Sequence, residues 1–63
     1  MKSFSSNEIL KMLRDDGWVI FNQTGSHAQL KHLTKKGKVT VPHPKKDLPI
    51  RTIQSIFKQA ELK

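Results

Sequence analysis

Gly25-Ser26-His27 lies between two strand-like runs and is the segment of this chain best suited to chemistry. A glycine frees the backbone for a tight reversal, so the histidine after it is delivered to the first residues of the next strand. Histidine is the side chain whose unperturbed charge changes between about pH 5 and 8, which suits proton transfer on a bound anion. Position alone does not separate that role from a solvated side chain in a hairpin. Lys31, Lys35, Lys36, Lys38, Lys45 and Lys46 come from the strands and loops around the triplet, where they either track phosphates or simply solvate the surface. Metal chemistry is the alternative use of His27, His32 and His43. It is not expected, because His27 and His32 are five residues apart and so on opposite faces of one strand, with no Cys and no acidic ligand beside them. His43, between two prolines, reads as structural.

Composition narrows the field. Sixty-three residues make one domain, residues 1–63, with a core too small to enclose a cavity or a large cofactor, since short chains bury only about 60% of the surface they expose unfolded. No cofactor is expected. Twelve Lys and Arg against five Asp and Glu give a net charge of +7 and an isoelectric point near 10.2. That charge favours a polyanion, nucleic acid ahead of a membrane surface. No apolar run approaches the roughly 18 to 20 residues needed to span a bilayer, and no signal-like segment is present, so the chain reads as cytoplasmic. With no cysteine, disulfides and thiolate metal sites are excluded.

The elements that must position these groups follow from pattern. Ser5 with Glu8 forms a capping box, and Phe4 with Ile9 a hydrophobic staple, which predicts a helix start. Ile9, Met12 and Leu13, widened by Leu10, give its apolar stripe, and Gly17 closes it. The run from Trp18 to Gln23 is a strand, with Trp18 and Phe21 expected in the core rather than stacked on bases. From Ser26 to about Leu33 a second strand alternates: Ala28, Leu30 and His32 inward, His27, Gln29 and Lys31 outward. Lys38 to Val41 forms a third, ended by Pro42. After a loop with three prolines, Ile50, Ile53, Ile56, Phe57 and Ala60 recur at helical spacing, with Arg51, Gln54, Lys58 and Glu61 pointing away. The fold class is α+β, in the order α-β-β-β-α, with both helices on one face of a three-stranded antiparallel sheet and the other face open.

That order of elements is that of double-stranded-RNA-binding domains, but the residues resemble another family. Gly17-Trp18, Gln23-Thr24-Gly25-Ser26-His27, the run Val39-Thr40-Val41-Pro42-His43-Pro44-Lys45-Lys46-Asp47-Leu48-Pro49, and Thr52-Ile53-Gln54-Ser55-Ile56 with Lys58-Gln59-Ala60 are together similar to the HicA family of mRNA interferase toxins. The resemblance covers nearly the whole chain. It implies a fold like the double-stranded-RNA-binding domain, metal-independent cleavage of mRNA by the histidine after Gly-Ser, here His27, and neutralisation by a HicB-like antitoxin. Ser26, Lys31, Lys35, Lys36, Lys45 and Lys46 are then the expected RNA contacts. The chain departs from the pattern at Asn22 and Ala28, beside the expected site, and at Arg51 and Glu61, at the ends of the second helix, where the effect should be mainly on stability. A non-catalytic double-stranded-RNA-binding module and a paralogue that binds antitoxin without cutting share the same fold and charge.

Overall fold

The capping box forms as expected. The Ser5 hydroxyl accepts the backbone N–H of Glu8 at 3.2 Å and the Glu8 carboxylate accepts that of Ser5 at 2.9 Å, an arrangement worth about 1 kcal/mol. It starts α1 (Ser6–Asp15) in a computed structural model that describes residues 4–62. There follow β1 (Trp18–Thr24), β2 (His27–His32), β3 (Lys38–Pro42) and α2 (Ile50–Gln59). The strands form one antiparallel sheet in the order β1-β2-β3. Both helices cover the same face, giving the α+β fold of the double-stranded-RNA-binding type. The core between them and the sheet joins Ile9, Leu10 and Leu13 of α1 to Trp18, Ala28, Leu30, Val39 and Val41 of the strands and Ile53 and Ile56 of α2.

Four details differ from the pattern read in the sequence. In α1 the buried stripe is Ser6, Ile9, Leu10 and Leu13, at the i, i+3, i+4, i+7 spacing of one helical face, so Met12 falls outside it and is exposed. Ile50 likewise lies half open at the start of α2, where the helix has yet to meet the sheet. The second strand stops at His32, and Leu33 is almost fully exposed in the turn that follows. Phe21, expected in the core, is 41% exposed. Alternation from the buried Trp18 puts it on the open face with Val19; its strand is an edge strand, and the pairing slip between Ile20 and Asn22 leaves Phe21 as the extra residue of a bulge.

Gly17 joins α1 to β1 and needs to be glycine for two reasons. Its φ of +103° lies in the region that side chains disfavour, and a Cβ there would meet Nε2 of His32 at 2.7 Å. The imidazole it makes room for is a structural pin. Nδ1 of His32 receives the backbone N–H groups of Thr34 and Lys35, each at 3.0 Å, so the proton resides on Nε2, which donates to the carbonyl of Asp16. The same ring meets Trp18 edge-on, with centroids 5.2 Å apart.

Candidate functional site

Thr24 pairs with His27 across a two-residue turn, so Gly25 and Ser26 are the whole loop of the β1-β2 hairpin. Gly25 takes φ +56°, the sign that a II′ turn requires at its first central residue. His27 is thereby fixed as the first residue of β2, exposed, opposite Pro42 of β3, with Ala28 behind it in the core. The turn is held from the far side as well. The backbone N–H of His43 donates to the carbonyl of Ser26 at 2.7 Å, and Ser6 Oγ lies 2.7 Å from His43 Nδ1. His43 is thus a structural residue that ties the His27 hairpin to α1.

An open groove of about 370 Å³ begins at His27 and runs between β3 and α2. Its walls are Thr40 and Pro42 on the strand side and Arg51, Thr52, Ser55 and Gln59 on the helix side, with Ile56 at its floor. Positions 51, 52, 55 and 59 fall on one helical face, which makes this polar stripe of α2 the counterpart of its apolar one. Arg51, which points away from the apolar stripe of α2, is not idle surface but a wall of this groove. The signal that could have found it was the polar stripe itself, read together with the adjacency of α2 and an edge strand.

The six lysines around the triplet divide into three groups. Lys31 and Lys38 are paired across β2 and β3 on the open sheet face, their ammonium groups 5.5 and 5.6 Å from the centre of the Phe21 ring, and the exposed Lys36 lies in the turn between the two strands. Lys45 and Lys46 are exposed in the loop at the other end of the sheet, near the His27 turn. Lys35 joins neither group. Its ammonium binds the Asp16 carboxylate at 2.6 Å and the Ala60 carbonyl at 3.0 Å, clamping the ends of both helices, so it is withdrawn from the expected phosphate track. That hydrogen bond, with the charge of Lys35, holds the Asp16 carboxyl below its usual range against the opposing effect of desolvation.

All five carboxylates of the chain lie on helices and loops, at Glu8, Asp15, Asp16, Asp47 and Glu61, and none on a strand. The open face therefore presents His27, Lys31 and Lys38 with no competing negative charge. Among the described residues no three His, Cys, Asp or Glu side chains converge as metal ligands would, and no helix is long and apolar enough to cross a membrane.

The family model described as the HicA toxin of bacterial toxin-antitoxin matches residues 6–62. The chain belongs to the HicA toxin family. No curated protein matches it closely enough to add a second line of comparison. Membership makes the chain a toxin of a toxin–antitoxin system, in a family that generally cuts mRNA, and so implies an RNA substrate and a cognate antitoxin. Against the HicA pattern, two of the departures take on different meanings here. Ala28 neighbours His27 in sequence but faces the core, away from the site, and Arg51 lines the groove. The Glu61 departure falls at the end of α2. Glu61 is the only non-glycine residue with positive φ among the described residues, at +57°.

Proposed function

We propose that this HicA-family chain is a metal-independent endoribonuclease that cuts single-stranded mRNA, with His27 as its catalytic residue. One observation carries the proposal: the exposed imidazole stands where a cationic sheet face without carboxylates meets a polar groove large enough for part of a nucleotide. Lys45 and Lys46 on one side and Arg51 in the groove supply positive charge to the phosphodiester. Ser26 offers its hydroxyl beside His27.

The chemistry uses the substrate's own nucleophile. The 2′-oxygen forms a bond to the adjacent phosphorus and loses its proton, while the bond from phosphorus to the 5′-oxygen breaks and that oxygen takes up a proton. His27 moves one of these protons, and the surrounding cations offset the charge that grows on the phosphoryl oxygens. A HicB-type antitoxin then acts by covering the face that carries His27 and Lys31, with acidic side chains to match.

The test is RNA cleavage by the parent and by His27→Ala, with and without excess EDTA, alongside thermal melting of both. His27 is exposed, so the variant should keep the parental midpoint and lose about 10² to 10⁴ in rate, with EDTA without effect on the parent. Parental cleavage by His27→Ala, or loss of cleavage on chelation restored by a divalent ion, would overturn the assignment.

A further inference from the structure

We propose that Phe21, flanked by Lys31 and Lys38, is a platform on which one base of the bound single strand stacks, away from the nucleotide whose phosphate reaches His27. This rests on the RNA-cleaving function above. Three independent features converge on it. Phe21 stands three residues from the inward Trp18 and so faces the open side of the sheet, and the pairing slip between Ile20 and Asn22 leaves it as the extra residue of a bulge, a feature common next to functional sites. The ring stays 41% exposed in a domain whose other aromatic strand residue, Trp18, is fully buried. Two ammonium groups stand within 6 Å of the ring on a face with no carboxylate, so they are placed to pair with the phosphates on either side of a stacked base.

The geometry also sets the spacing. By register Phe21 lies between the Ile20–Leu30 and Asn22–Gln29 pairs, its ring within reach of the Lys31 and Lys38 ammonium groups, and His27 is two to three residues back along β2, about 7–10 Å at the usual rise per strand residue. Gln29 and Thr40, themselves a cross-strand pair, occupy the interval and leave it uncharged. A strand laid along β2 would therefore place one base on Phe21 and present a different nucleotide's phosphate to His27. Aromatic stacking with flanking cations is the general means of holding single strands, tolerant of sequence because every base has a π face. It makes Phe21 a determinant of where along the strand the cut falls.

The experiment measures binding of a fluorescein-labelled, mixed-sequence, single-stranded oligoribonucleotide by anisotropy, at several salt concentrations, on the non-cutting His27→Ala background. Phe21→Leu should weaken binding about five-fold or more and leave the slope against salt unchanged, while Phe21→Tyr retains affinity. Lys31→Gln with Lys38→Gln should flatten the slope. On the parental sheet, moving a single abasic position along the oligonucleotide should reveal one position whose loss costs as much as Phe21→Leu; this arm needs no Phe21 variant to fold. Equal affinity for Phe21→Leu together with indifference to every abasic position overturns the platform. If the parent still cuts RNA in that case, only the platform falls; if the parent neither binds nor cuts RNA, the nuclease function falls with it. A Phe21→Leu variant that binds RNA normally but loses its antitoxin makes the patch a protein-docking site and overturns the proposal.

Discussion

Ser6 Oγ lies 2.7 Å from Nδ1 of His43, and through His43 the first turn of α1 reaches the turn that carries His27. Ser6 is buried, and its hydroxyl also accepts the backbone N–H of Lys45 at 2.9 Å. The hydroxyl also donates to the Lys45 carbonyl at 3.1 Å, which receives the Ser6 N–H as well. Ser6→Ala should therefore leave two partly buried hydrogen-bonding groups without a partner and cost about 1–3 kcal/mol, read as a lower denaturation midpoint. Cleavage per folded molecule should fall as well, because the variant loosens the loop behind Ser26.

The three histidines have three separate fates, and His32 offers the sharpest contrast with His27. Its ring satisfies two backbone N–H groups and one carbonyl and packs on Trp18. His32→Ala should lower stability by about 2–3 kcal/mol, which for a domain of this size is a fall of about 10 °C or more in melting temperature. At a temperature where the variant remains folded, its cleavage rate should stay near parental. A His32→Ala variant that melts normally but fails to cut would move the catalytic role to the other face of β2.

Most of the fold was legible because its signals are local or periodic. The Ser5–Glu8 box, the Gly25-Ser26 turn and the alternation of Ala28 and Leu30 against His27 and Lys31 each need only a few neighbouring residues. What escaped depends on tertiary placement. Alternation from Trp18 does put Phe21 on the open face, but the bulge beside it and the edge position of β1, which leaves its apolar residues open, follow from strand pairing alone. Lys35 and Lys36 are adjacent in sequence and indistinguishable by type, yet only Lys35 reaches the carboxylate and the carbonyl at the two helix ends. The groove likewise unites His27 with Arg51, residues whose proximity is set by the packing of α2 against β3.

Glu61 marks a site where stability can be raised. The N–H of Leu62 donates to the Phe57 carbonyl at 2.9 Å and that of Glu61 to the Lys58 carbonyl at 3.2 Å, the paired bonds of a helix end that turns through a left-handed residue. Glutamate adopts φ +57° there at a cost that glycine avoids. Glu61→Gly should stabilise by about 0.5–1 kcal/mol after the added freedom of the unfolded chain is subtracted, a gain of several degrees in melting temperature. Glu61→Ala should give no comparable gain, because alanine meets the same backbone restriction, and this control separates conformation from charge.

Lys35 and the Lys45–Lys46 pair should separate stability from RNA binding. Lys35→Ala removes the clamp between Asp16 and the α2 carbonyls, so it should lower the melting temperature and leave the salt dependence of RNA affinity unchanged. Lys45→Ala with Lys46→Ala should do the reverse, weakening binding to all sequences and flattening the salt slope. Acid adds a second signature. The folded-state carboxyl of Asp16 titrates below its unfolded value, so near that range the unfolded chain binds the extra proton. The stability it contributes is complete above the usual carboxylate pKa and is lost as pH falls through the depressed folded value. In Lys35→Ala the depression should largely vanish, and with it this share of the acid-induced fall in melting temperature. Melting curves from neutral pH down through the carboxylate range, on both proteins, would show it, and parallel profiles would mean that the Lys35–Asp16 contact does not set the acid limit of the fold.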